Sequence, residues 1–147
     1  MRTCKLAVAA MAIVISSSVA AHEGHADGKG DGPGTGAGKG QEQRTLLQQR
    51  ALPDLPGKTG ILATVRYAPG QESLPHEHPG SVYAYVLEGE VVSQLEGEAP
   101  VTYKAGDSWY EPPHAGHLVS KNASKTRPAT LVVFLITGTG EPIAKPR

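Results

Sequence analysis

Residues 70–89 read Gly-Gln-Glu-Ser-Leu-Pro-His-Glu-His-Pro-Gly-Ser-Val-Tyr-Ala-Tyr-Val-Leu-Glu-Gly, and His76-Glu77-His78 stands at the centre. In an extended segment side chains alternate between faces, so His76 and His78 point to one side and Glu77 to the other. Two imidazoles side by side are poor core formers and good metal ligands. A solvated loop could carry the same pair. A second stretch argues for ligands: residues 106–117 read Gly-Asp-Ser-Trp-Tyr-Glu-Pro-Pro-His-Ala-Gly-His, which brings His117 in after a strand framed by Gly and Pro.

Working outward, the flanking sequence is a succession of short β-forming runs. Residues 60–67 alternate, with Ile61, Ala63, Val65 and Tyr67 on one face and Leu62, Thr64 and Arg66 on the other. Residues 81–88 and 90–95 are strands, and Leu87-Glu88-Gly89-Glu90 between them reads as a hairpin. Further strands are expected at 100–104, 108–111, 116–121 and 129–137, the last being the most apolar. Residues 45–52 fit a strand or a helical turn equally well. Many short strands with turn signals between them and no convincing helix point to an all-β, double-sheet jelly roll.

Composition agrees. The chain has 147 residues, enough for one ordinary domain, and its 18 Gly and 12 Pro favour turns over a helical bundle. Fourteen basic residues balance fourteen acidic ones, so no net field draws the protein to nucleic acid or to an anionic membrane.

Residues 1–21 read as a secretory signal: Arg2 and Lys5 precede an apolar run, and small residues allow cleavage after Ala20 or Ala21. The expected location is periplasmic or secreted. Cys4, the single cysteine, would leave with the signal, so the mature core has to hold together without disulfides. Residues 22–44 are rich in Gly and polar residues and are expected to be a disordered linker. Its His22 and His25 could bind copper, nickel or zinc weakly, or be plain solvated side chains. The folded domain is expected over 45–140, with a tail at 141–147.

At the two histidine segments the sequence resembles the cupins. The first cupin motif runs Gly, five residues, His-x-His, three or four residues, Glu, six residues, Gly; Gly70, His76, His78 and Gly89 fall in register, and Val82 stands where Glu is expected. The second runs Gly, five residues, Pro-x-Gly, two residues, His, three residues, Asn. Here Gly106, Pro112 and His117 match, His114 replaces the Gly, and Asn122 comes one residue late. The wording around both motifs is similar to small exported single-domain cupins, and the match covers about residues 51–136.

The resemblance implies a double-stranded β-helix barrel in which His76, His78 and His117 ligate a divalent metal ion. Iron(II) is favoured, with zinc, nickel, copper and manganese as alternatives. Three neutral imidazoles leave positions open for water, O2 or a small molecule. Without a carboxylate at position 82 the site keeps the ion's full charge, as in three-histidine cupins such as cysteine dioxygenase and β-diketone dioxygenase. His114, Glu111 and Val82 are candidates for the surroundings of the ion, with a surface position the simpler expectation for Glu111. Tyr83 and Tyr85 should face outward if Val82 faces inward, and at most one of Trp109 and Tyr110 can line the cavity. Two functions follow: an O2-dependent, dioxygenase-like oxidoreductase, or a non-catalytic module that binds a small ligand or handles metal. No separate catalytic nucleophile is recognisable. Jelly rolls of this kind commonly pair, and the first strand could add to a neighbour's sheet, which leaves a homodimer open.

Overall fold

The computed structural model describes residues 38–147, and over them the protein consists of strands and turns with no helix. The stretch expected to be a secretory signal, Cys4, His22 and His25 lie outside the described residues. Ten strands follow in chain order: β1 (Gln43–Ala51), β2 (Lys58–Tyr67), β3 (His76–Glu77), β4 (Ser81–Glu88), β5 (Glu90–Leu95), β6 (Val101–Lys104), β7 (Ser108–Glu111), β8 (Gly116–Asn122), β9 (Ala129–Gly138) and β10 (Lys145–Pro146). They form two five-stranded antiparallel sheets, ordered β1-β2-β9-β4-β7 and β10-β3-β8-β5-β6. The all-β jelly roll expected from the strand pattern is the fold observed.

The inward faces follow period two. Ile61 and Tyr67 on β2, Val82, Ala84 and Val86 on β4, and Leu131 and Leu135 on β9 are buried between the sheets. Tyr67, Val86, Val91, Ala129 and Leu131 form one packed cluster, and Ile61, Val82 and Leu135 a second nearer the histidines. Tyr83 and Tyr85 face outward and are about half exposed, as their parity requires. Tyr110 lies beside Tyr83 on the same outer face, with ring centroids 5.0 Å apart.

One connection differs from the sequence reading. β4 and β5 do not form a hairpin: β4 pairs with β7 and β9, while β5 pairs with β6 and β8 in the opposite sheet. Gly89 carries the chain across. Its φ of +78° suits glycine, and a Cβ there would sit 2.6 Å from the Pro128 carbonyl oxygen. Turn residues between two alternating runs give the same local signal whether the chain folds back or crosses the core.

Both ends of the domain are tied in. Residues 38–44, assigned above to the linker, include Lys39, which bridges to Glu72, and the start of β1. β1 resolves the strand-or-turn ambiguity as a strand, paired with β2 of its own chain and exposed along its whole length. Within the expected tail, β10 pairs with β3, and Arg147 donates to Glu96 at 2.7 Å.

Candidate metal centre

β3 and β8 are hydrogen-bonded neighbours, and His76 stands directly opposite His117 in their register. Directly opposed residues share a face, so residues forty-one positions apart become adjacent side chains. The His76 and His117 ring centroids are 5.1 Å apart, and those of His76 and His78 are 4.9 Å apart. The convergence of the three imidazoles expected from the motifs is therefore present at one end of the barrel.

His117 points inward because of an irregularity in β8. Asn122 and Ser120 are buried, and strict alternation would turn Leu118 inward next. Instead the register slips against β5, where Gln94 opposes Val119 but Leu95 opposes His117. The extra residue leaves Leu118 exposed and His117 buried, at 38% and 4% of their full accessibility. It also accounts for the late Asn122, whose amide donates to the carbonyls of Ala68 and Arg127 and holds the loop after β8.

Each ring is held through one nitrogen. His76 Nδ1 donates to the Leu74 carbonyl at 2.7 Å, and His78 Nδ1 to the Ile143 carbonyl at 2.7 Å. A carbonyl only accepts, so in the neutral rings the Nε2 lone pairs of His76 and His78 are left free. His117 is held the other way round, with Nε2 2.9 Å from Ser93 Oγ and Nδ1 turned towards Glu111. Such outer contacts fix tautomer and orientation in metal-binding histidines.

Glu111 is not at the surface. Only 3% of it is exposed, its Oε1 accepts from Trp109 Nε1 at 2.9 Å, and its Oε2 lies 3.2 Å from His117 Nδ1 and 3.7 Å from His78 Nε2. Glu111 Oε2 and His117 Nδ1 are both buried and find no aligned hydrogen-bond partner among the described residues. Parity could have located this carboxylate. Trp109 and Glu111 are two apart on one strand, so placing the tryptophan inside places the glutamate inside as well.

His114, by contrast, is outside the site. It occupies the tight turn after β7 with φ +62°, its amide donates to the His78 carbonyl at 2.7 Å, and its exposed ring faces Glu77 at 3.4 Å. The exposed ring turns to Glu77 and does not line the cavity with the other three histidines, so the expectation that His114 surrounds the ion is corrected. Its contribution is a backbone bond that ties the turn to His78. Glu77 faces away from His76 and His78, as period two demands, towards Arg147 and His114. Val82 is part of the apolar wall.

The histidines and Glu111 form the polar end of a cavity of about 260 Å³. Its walls are aliphatic and aromatic, including Ile61, Val82, Ala84, Trp109 and Leu135, while Arg44 to Leu46 and Ile143 to Ala144 also border it. Tyr67 spans the interior, with its hydroxyl 2.8 Å from Ser73 Oγ and 2.9 Å from Ser120 Oγ. Sequence reasoning missed Ser73, Ser93, Ser120 and the Ile143 carbonyl as partners. Serines in strands carry no signal until the opposite strand is known.

A cupin domain model matches residues 63–135. The chain belongs to the cupin superfamily. Comparison with curated protein sequences finds no match. Among solved structures, this cupin resembles an uncharacterised double-stranded β-helix protein from Klebsiella pneumoniae, at 22% identity and TM-score 0.57, over 72% of this chain and 86% of that one. A DMSP lyase from Ruegeria pomeroyi aligns at 23% identity and TM-score 0.52, over 59% of this chain and 42% of the lyase. An oxalate oxidase bound to the substrate analogue glycolate aligns at 25% identity and TM-score 0.50, over 57% of this chain and 44% of the oxidase. The cupin thus spans less than half the length of the lyase and of the oxidase. These likenesses show the double-stranded β-helix fold.

The donors present in this cupin suit a divalent ion. Tautomers fixed by carbonyls leave nitrogen lone pairs available, and a buried carboxylate oxygen without a hydrogen bond stands among them. As the side chains are placed, no three His, Asp, Glu or Cys groups among the described residues close round one point at ligand distance.

Burial pushes the His76 imidazole below its usual value, against the opposing effect of the Leu74 carbonyl. Burial would raise Glu111, but its neighbours His117 and His78 and the Trp109 N–H hold its carboxyl below the usual range. Both groups bind protons more readily in the unfolded chain, so metal-free protein loses stability on acidification. The His76 contribution should start to fall below its ordinary value of 6.5, and the Glu111 contribution below 4.5. Thermal melts of metal-free protein between pH 8 and pH 4 test this. A melting temperature that rises towards pH 4 would contradict it.

Proposed function

We propose that this cupin is an exported protein that holds a divalent metal ion through His76, His78 and His117 and presents it to a small molecule in the apolar cavity. The observation that supports this most directly is the set of carbonyl and hydroxyl contacts that hold one nitrogen of each ring and leave the other for a ligand bond. We favour iron(II), which would supply Lewis acidity and a site for O2, giving dioxygenase-like oxidation of the bound molecule.

The chain's own residues supply the rest. Ile61, Val82, Ala84 and Leu135 exclude water and favour an apolar body, while the polar end favours a chelating oxygen head group. That combination suits a small enol, diketone or phenol. Metal analysis of tag-free protein, followed by oxygen uptake with iron(II) and a panel of diketones, phenols and thiols, tests the reading. Metal bound without turnover would leave the non-catalytic binding module as the function, and no metal bound would remove both.

A wall substitution separates cavity from ion. Ala84→Leu is expected to lower ligand affinity about tenfold or more, because it fills space in a cavity that is already small, and to leave metal content unchanged. Isothermal titration of metal-loaded protein checks this. Export predicts a mature amino terminus at Ala21 or His22 in protein recovered from a bacterial periplasm. Pairing predicts a dimeric mass by light scattering, with the exposed β1 and the aromatic outer face of Tyr83, Tyr85 and Tyr110 as the surfaces available.

A further inference from the structure

We infer that Glu111 is the fourth protein ligand of the metal site, and that it replaces from the neighbouring strand the carboxylate absent at position 82. The inference rests on the three-histidine reading above and deepens it. Val82 of β4 and Glu111 of β7 are directly opposed in the ladder. Side chains opposed in this way share a face with their Cβ atoms about 5 Å apart. A carboxylate lost from one position can therefore be offered to the same space from the other.

The distances fit shared coordination. Two donors held about 2.1 Å from one ion lie about 3.0–3.4 Å apart for angles between square and tetrahedral. Glu111 Oε2 is 3.2 Å from His117 Nδ1 and 3.7 Å from His78 Nε2, at and slightly beyond that spacing from two different rings. An ordinary hydrogen bond does not account for the closer contact. If His117 gives its Nε2 proton to Ser93, the remaining Nδ1 lone pair faces a carboxylate across 3.2 Å, and two buried acceptors repel. If the proton is on Nδ1, the oxygen lies off its direction, since neither atom has an aligned partner among the described residues. A cation between them satisfies both. Trp109 Nε1, bonded to the other carboxylate oxygen, turns Oε2 towards the rings.

With Glu111 as a ligand, the site carries one unit less charge than a three-histidine site. It should then prefer a neutral or singly ionised oxygen ligand over a doubly charged one.

Cobalt(II) titration of metal-free protein, followed by visible absorption, tests the assignment without reference to turnover. Glu111→Gln and Glu111→Asp are each expected to lose tenfold or more in cobalt affinity and to shift the d–d bands. The aspartate variant preserves the charge and serves if the glutamine variant fails to fold. Val82→Glu placed in the Glu111→Gln background should regain affinity, and no regain counts against the cross-strand exchange. Wild-type affinity and spectrum in both single variants would overturn the inference while leaving the three-histidine site intact. So would weaker binding with an unchanged spectrum, which marks a residue that only positions His117. A wild-type protein that binds no cobalt(II) removes the three-histidine reading and this inference together.

Discussion

Replacing His76 with alanine is expected to leave a folded protein that no longer retains divalent metal. His76 lies on a two-residue strand and is only half buried, so its side chain adds little to the core. Its ring nevertheless stands between His78 and His117, 4.9 and 5.1 Å from their centroids. Loss of a residue that merely orients a ligand commonly weakens metal binding 10–100-fold, so loss of a direct ligand should exceed about a hundredfold. Metal content after gel filtration and competition with a chromophoric chelator measure the change. Metal retained at the wild-type level in His76→Ala would exclude this ring as a ligand. The same variant should resist acid better when metal-free. Burial lowers the His76 proton affinity in the native state, and removing the ring removes that source of instability below pH 6.5.

The second large effect concerns the backbone next to His76 and His78. Gly80→Ala should destabilise the domain by about 3 kcal/mol or more, since overpacking a rigid contact costs roughly this much. A Cβ at Gly80 would fall 2.0 Å from the Ile136 carbonyl oxygen and 2.8 Å from Thr137 Cα, and neither backbone atom can rotate away. The strain would open the pairing of Ser81 with Ile136, three residues from His78. Metal affinity should therefore fall along with the melting temperature. Gly97→Ala is the control: its φ is +82°, but an added Cβ meets nothing within 4 Å among the described residues. That substitution should cost only about 1 kcal/mol, the ordinary penalty for a non-glycine residue in the left-handed region. Chemical denaturation compares the two. Equal losses would mean that β4 and β9 can slide apart at little expense.

Much of this was legible in the residues. The alternation at Ile61, Ala63, Val65 and Tyr67 and at Val82, Ala84 and Val86 indicated strands and their inward faces. His76 and His78, two apart in an extended segment, had to share a side. Those features depend only on the geometry of one strand. Glu111 was weighed as a surface residue because an acidic side chain before Pro112-Pro113 is most simply solvated. Its parity with Trp109 was the available clue. His114 was misplaced because the sequence does not reveal a positive φ at a non-glycine residue.

What the sequence by itself determined, then, is the strand content, the inward faces of β2 and β4 and the shared side of His76 and His78. The tertiary structure alone decided three matters. It took the chain across the core at Gly89 instead of back along the same sheet. It set His76 against His117 and Val82 against Glu111. By one extra residue in β8 it turned His117 inward in place of Leu118. The reason is physical: side-chain alternation is a property of a single strand, whereas register and bulges are set by partners distant in the chain. A slip of one residue exchanges the two faces.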